Sequence, residues 1–291
     1  AAATQFLLED ATATIARAAV RASNSRNLCL GGGVALNCSA NGRLLAGGIA
    51  DDLWVFPAAG DAGLPVGAAL LAARESNELN PERLAAPYLG PQYSESEIEQ
   101  ALSAENGIQV RRPSGIHVAT AELLAGASVI GWFQGRMELG PRALGNRSIL
   151  ADPRSVAIRD RVNAIKGREK WRPLAPSVLA ERSDDYFAAR PTNDFMLFAV
   201  PATQRCKAEA PAIVHVDGSA RPQLVRRETN ATFHALISAF DRLTGVPIVL
   251  NTSFNRAGEP IVCTPSDAVR SFASSGLDAL VIGPFIVTRC Q

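Results

Sequence analysis

GWFQGRMELGPRALGNRSILADPR, residues 131–154, is the stretch on which the reading of this chain turns. Apolar runs at 128–133 and 147–150 predict two strands. Between them Gly135, Gly140 and Gly145 alternate with Arg136, Arg142 and Arg147, and Arg154 follows. Arginines spaced by glycines rarely make a packed core. A guanidinium offers a planar fork of donors that matches phosphate, and glycine lets the main chain approach the same ligand. The plain alternative is a solvated basic loop, but GPRALGNRS is too particular a string to be noise of composition.

Three downstream segments add to it. In NAIKGREKWRPLAPS, 163–177, Lys166 and Arg172 stand six apart around a predicted helix end, and Pro173 and Pro176 fix the chain beyond. Lysine supplies a compact charge and arginine a bidentate one. Arg168 and Lys170 read as surface charge. In HVDGSARPQLV, 215–225, Asp217-Gly218 predicts a tight turn that presents Arg221. His215 reads as a hydrogen-bonded positioning residue, with proton transfer as the alternative. VPIVLNTSFNRAGEPIV, 246–262, places Asn251, Thr252, Ser253 and Asn255 after a buried-looking strand. Short polar side chains there line ligand crevices in α/β folds, or else make ordinary turns. His117 and His234 are assigned no chemistry.

Upstream, GGGVALNCSANGRL (31–44) follows a strand and opens a helix, so Gly32, Gly33 and Asn37 are candidates to receive an anion at a helix start. In PAAGDAGLPVGAAL (57–70) small residues surround Asp61, which suits either a metal ligand or a helix cap.

Periodicity predicts helix 4–25, strand 27–30, helix 37–46, strand 53–56 and helix 62–76, an α/β unit over residues 1–80. Prolines 81, 87 and 91 mark a linker over 81–93. The second domain, 94–291, opens with a capping-box helix at Ser94/Glu97 over 94–104. Its remaining strands are predicted at 108–111, 246–250, 279–282 and 285–288, and its helices at 117–125, 155–166, 230–243 and 264–275. The 29 basic and 28 acidic residues nearly cancel, which disfavours nucleic acid or an anionic membrane as partner. No apolar run reaches the ~18 residues of a membrane span. Five scattered cysteines without CxxC spacing read as free thiols of a reducing cytoplasm. The chain opens at Ala1 without an initiator methionine, as an internal start would.

GPRALGNRS, K-x5-R-P-x-A-P-S, HVDG-x-A-R and LNTSFN together resemble the YrdC-like domain of O-carbamoyltransferases, the enzymes that carbamoylate nodulation factors and antibiotics such as tobramycin. The GGVALN turn and the GDAG loop resemble the second half of the actin/hexokinase-like domain of that family. The resemblance implies that the second domain binds ATP, with Mg²⁺, and carbamoyl phosphate, and forms carbamoyl-adenylate. It carries Arg142, Lys166, Arg172, Arg221, Ser253 and Asn255 over as the catalytic set. Gly32, Gly33, Asn37, Arg136, Arg147 and His215 stand beside them as cofactor-binding candidates. It also implies transfer to a small-molecule alcohol (an antibiotic, a sugar or a nodulation factor) at an iron ion, Fe²⁺. Asp61 would be one iron ligand and an HxxxH pair, absent from this sequence, the others. The expected partners are then the missing first half or a second copy. A non-catalytic nucleotide-binding half that needs another polypeptide is the alternative. An RNA-binding module is disfavoured by the neutral charge.

Overall fold

The computed structural model describes residues 1–78, 84–189 and 194–290. The amino-terminal unit runs α1 (Ala2–Ser23), β1 (Asn27–Leu30), α2 (Cys38–Ala46), β2 (Asp52–Val55) and α3 (Leu64–Glu75). β1 and β2 pair in parallel, Leu28 opposite Leu53 and Leu30 opposite Val55, and α2 makes the crossover that parallel pairing needs. Asn37 caps α2, its side chain accepting from the Ala40 amide at 3.1 Å. Leu44, Leu53 and Val55 form the buried seam. α3 departs from this pattern. It buries none of its side chains, and Leu64 and Leu71 are 70% and 61% exposed.

The second unit runs α4 (Glu95–Ser103), β3 (Ile108–Arg111), α5 (Ile116–Ala125), β4 (Ile130–Phe133), β5 (Arg147–Ala151), α6 (Val156–Ile165) and β6 (Ala175–Leu179). Then come α7 (Ser183–Tyr186), β7 (Val200–Pro201), α8 (Gln204–Glu209), β8 (Ser219–Ala220), β9 (Gln223–Val225) and α9 (Ala231–Thr244). The chain ends with β10 (Ile248–Ser253), α10 (Pro265–Ala273), β11 (Ala279–Ile282) and β12 (Phe285–Arg289). Eight strands form one sheet in the order β3-β12-β11-β4-β5-β10-β6-β9. β4/β11 and β6/β9 are parallel and the other neighbours antiparallel. The fold is therefore mixed α/β, as the sequence predicts. Ser94 with Glu97, and Thr264 with Asp267, both close capping boxes that fix helix starts. Among the described residues no helix is long and apolar enough to cross a membrane.

The sequence reading lacks α7, α8, β7, β8 and β9, each too short to carry a period, and two further features differ from it. β6 is an inner strand where the prolines suggest irregular chain. It tolerates Pro176 because pairing with β9 begins only at Ser177, so the missing N–H interrupts no bond on that side. The linker is the second difference. Residues 81–83 lie outside the described residues, but 84–93 lie along the second unit as a strap. Tyr88 Oη donates to the Leu144 carbonyl at 2.8 Å. The amides of Gly90, Met137 and Leu139 donate to the carbonyls of Met137, Pro91 and Pro87, at 2.9, 2.9 and 2.7 Å.

Candidate anion-binding site at the junction of the two units

The loop between β4 and β5 owes its shape to a carboxylate inside it. Glu138 is 6% exposed, and its Oε1 accepts from the amides of Leu144, Asn146 and Arg147 at 2.7, 2.7 and 3.1 Å. Gly145 turns at φ +101°, where a Cβ would strike the Phe233 ring. Below lies a row of polar side chains on one sheet face. Asn251 Nδ2 reaches the Ala143 carbonyl (3.3 Å) and Ser177 Oγ (2.9 Å), and Gln223 Nε2 donates to the Leu144 carbonyl at 2.7 Å. Trp132 Nε1 donates to the Gly145 carbonyl at 2.8 Å. Buried polar groups are retained where they are paired, and here they are paired to the loop backbone.

The three arginines of this loop have different surroundings. Arg147 is fully buried, 3.6 Å over the Phe133 ring, and donates to the carbonyls of Gln134 (2.7 Å), Asn146 (2.9 Å) and Pro91 (3.2 Å). Burial pulls it down to about 10, although Glu138 acts the other way. Arg136 is exposed and donates to the Leu89 carbonyl at 2.8 Å. Arg142 crosses to the amino-terminal unit, where its Nη2 donates to the Leu36 carbonyl at 3.0 Å. Its buried Nε has no partner.

Arg221 stands beside Arg142. It donates to the Met196 carbonyl at 3.3 Å, and burial, then Arg142, pull it down to about 10. Burial also lowers Arg142. Neither guanidinium pairs with a carboxylate among the described residues, and the two desolvated cations bear on each other electrostatically. Cys38, the first residue of α2, lies close enough to bear on both.

The units meet here backbone to backbone. Gly140, at φ +98°, has no room for a Cβ, which would stand 2.4 Å from the Pro57 carbonyl oxygen. A Cβ on Gly42 would stand 2.1 Å from the Ala199 oxygen. The Ala199 amide donates to the Cys38 carbonyl at 2.9 Å, and Asn41 Nδ2 donates to the carbonyls of Ala35 and Leu197, both at 2.8 Å. The GGG and GDAG loops, separate in the sequence, also touch. The Gly32 amide donates to the Ala59 carbonyl at 2.7 Å, and a Cβ on Gly60 would be 3.9 Å from Gly33 Cα. Asp61 is exposed at the head of a short 3-10 turn, where its carbonyl accepts from the Leu64 amide and its carboxylate makes no ion pair or hydrogen bond among the described residues. No group of three metal-binding side chains occurs among those residues.

Lys166, Ser253 and Asn255 form a second cluster. Lys166 is 1% exposed, and its Nζ donates to Asn255 Oδ1 at 2.9 Å, the Asn255 carbonyl at 3.0 Å, and the Ser253 carbonyl. Ser253 Oγ donates to Asn255 Oδ1 at 2.6 Å, and Asn255 Nδ2 to the Glu259 carbonyl at 2.7 Å. Burial, then Arg168, draw the Lys166 amine down to about 7, against the four oxygens around it. Ser253 lies two residues beyond Asn251 on β10 and opposite Ser148, so it belongs to the face that the arginine loop covers. Arg172 is half exposed, with only a 3.4 Å contact to Glu169. Asn163 holds its loop, donating to the carbonyls of Lys170 (3.2 Å) and Arg172 (2.9 Å).

His215 Nδ1 lies 3.1 Å from Ser219 Oγ, which lies 2.7 Å from Asp217 Oδ1. A cleft of about 760 Å³ opens past Asn255, lined by Arg256, Glu259, Cys263, Asp267 and Arg270. Its arginines are matched by Glu259 and Asp267, so it lacks the unneutralised charge of the junction. Sequence reasoning passed over Glu138, Asn163 and Gln223. Glu138 sits inside the quoted motif, and its signal was a lone acid among glycine-spaced arginines.

The chain is a mixed α/β protein with desolvated cations gathered in glycine-rich loops. Residues 121–289 match the family model described as "Carbamoyltransferase C-terminus", and residues 1–70 match "Carbamoyltransferase N-terminus". The chain belongs to this carbamoyltransferase family. It is 48% identical to nodulation protein NolNO of Sinorhizobium fredii over 91% of this chain and 40% of that one. To nodulation protein NolO of Bradyrhizobium diazoefficiens it is 46% identical, over 92% and 50%. The chain thus spans about half the length of these relatives. Among solved structures, full-length HypF in its phosphate- and nucleotide-bound form aligns at TM-score 0.43 with 12% identity, over 63% of this chain and 22% of HypF.

Proposed function

We propose that this chain is the part of an O-carbamoyltransferase that activates carbamoyl phosphate with ATP and one water as carbamoyl-adenylate, releasing phosphate and pyrophosphate, for transfer to the hydroxyl of a small-molecule acceptor of antibiotic, sugar or nodulation-factor type. The observation that carries the proposal is the pair Arg142 and Arg221, within electrostatic reach of each other, desolvated and without a carboxylate partner among the described residues. Two such cations repel until an anion arrives, and a phosphate ester relieves both at once. Lys166 and Arg172 add charge for the several negative groups that ATP and an acyl phosphate bring together. Mg²⁺ would enter with the nucleotide. For the transfer step the described residues offer Asp61 as the candidate metal ligand. Asp61 is one oxygen donor, and a transition metal needs three or more protein ligands in fixed geometry, so the described residues do not make an iron site.

The test is carbamoyl-phosphate-dependent exchange of pyrophosphate into ATP by the purified chain. Exchange that requires both substrates is the expected outcome, and exchange indifferent to carbamoyl phosphate sinks the reading. The unburied apolar α3 favours a second reading, a half that works only with another polypeptide. In that case exchange appears only when a polypeptide carrying the HxxxH half is added, and the two co-elute in size exclusion.

A further inference from the structure

Carbamoyl phosphate presents two kinds of hydrogen-bonding group. Its phosphate and carbonyl oxygens accept, and its –NH₂ donates. Arginine and lysine have no acceptor at all, so the cations of this site meet only the first kind. Ser253 and Asn255 are already engaged. Asn255 Oδ1 takes bonds from Lys166 and Ser253, and Asn255 Nδ2 donates to main-chain carbonyls. Asn251 Oδ1 lacks a partner but is sealed from solvent beneath the arginine loop.

His215 differs. The Asp217 carboxylate receives both the amide and the hydroxyl of Ser219, at 2.9 and 2.7 Å. Burial alone would raise Asp217, but the Ser219 bonds outweigh it and hold it below the usual carboxylate range. Asp217 can therefore only accept, and the one hydroxyl proton of Ser219 points to it. Ser219 Oγ then offers a lone pair to His215 Nδ1, 3.1 Å away, and Nδ1 must carry the hydrogen. Burial, with Asp217 opposing and Arg221 adding, lowers the ring below the ordinary imidazole range and so favours its neutral form. A neutral ring with Nδ1–H leaves the lone pair on Nε2. Nε2 makes no hydrogen bond among the described residues, and His215 is half-buried in the segment that carries Arg221.

We infer that His215, locked as the Nδ1–H tautomer by Ser219 and Asp217, presents Nε2 as the acceptor for the carbamoyl –NH₂ beside Arg221, and so determines specificity for carbamoyl over acetyl phosphate. The two ligands share shape and phosphate and differ by –NH₂ against –CH₃. A site built around a hydrogen bond to one group rejects the analogue that lacks it, because the polar partner is left unpaired. The inference rests on the functional reading above, since it presumes that the Arg142–Arg221 site takes an acyl phosphate.

The test has two arms. In ¹⁵N spectra of histidine-labelled chain, His215 should show the Nδ1–H form. Ser219→Ala should release it to a mixture. In calorimetry, wild type should bind carbamoyl phosphate about tenfold or more tighter than acetyl phosphate. His215→Phe should abolish that preference by weakening carbamoyl phosphate alone, and His215→Gln, whose amide oxygen can accept, should restore part of it. An Nε2–H tautomer in wild type, equal affinity for the two ligands, or a preference that survives His215→Phe would each overturn the inference. Failure to bind either acyl phosphate would instead overturn the functional reading, and this inference with it.

Discussion

Replacing Arg147 with alanine would take the guanidinium from the carbonyls of Gln134, Asn146 and Pro91, the last two of which keep the amides of Gln134 and Met137, and would empty the space over Phe133. We predict a loss of roughly 3 kcal/mol or more in urea unfolding, whatever happens to binding. Arg172 is half exposed and holds little together, so Arg172→Ala should leave the unfolding midpoint unchanged. It should lower carbamoyl-phosphate-dependent turnover by ~2–4 kcal/mol of transition-state stabilisation. Unchanged turnover would remove Arg172 from the site. Lys166 adds a pH signature. Its amine titrates near 7 when folded and near 10.5 when free, so the unfolded chain holds the extra proton between those values. Stability should therefore rise as pH climbs from about 7 towards 10.5, and stay level on this account below 7. Lys166→Met should flatten that rise in urea midpoints measured across the range. GPRALGNRS was legible as a distinctive glycine–arginine loop between two strands because its composition is so unusual. The roles inside it were not, because exposed and buried arginines look alike until the carbonyls around them are placed.

Two helical glycines make opposite predictions at the level of the element. Gly67 in α3 has open space where a Cβ would go, so Gly67→Ala should strengthen α3 by roughly 1 kcal/mol, read as slower amide exchange along that helix. Gly42 in α2 gains the same helical propensity from alanine, but its Cβ would fall 2.1 Å from the Ala199 oxygen. Gly42→Ala should therefore lower the melting temperature, and an unchanged or higher value would show that the junction is looser than described. The longer helices and most strands were readable from periodicity and caps to within a few residues, as with the Ser94 and Thr264 boxes, whereas α7, α8, β7, β8 and the edge strand β9 are too short to carry a period. β6 was not, because Pro176 is a strong local signal against a strand, and only the late start of β9 cancels it. The close approach of Gly42 and Gly140 to other segments was equally invisible, since glycine contacts leave no side-chain pattern.

For the molecule as a whole, the strap places the practical boundary of the second unit at residue 84 rather than 94. A fragment of residues 84–290 should unfold cooperatively. One beginning at 94 loses the Tyr88 and Pro91 contacts and should be clearly less stable in urea, and equal midpoints would show the strap to be ornamental. The bond from Arg142 to the Leu36 carbonyl has a consequence for thermodynamic coupling. If an acyl phosphate draws this guanidinium towards itself, ligand and junction compete for one donor. Alkylation of Cys38, followed by peptide mapping, would report the opening as a faster rate with ligand present. Reciprocity then requires that a change which opens the junction, Gly140→Ala for example, alter ligand affinity by the same factor by which ligand alters the opening. The arginine loop would thus carry free energy between the two halves of the chain in both directions, in equal measure.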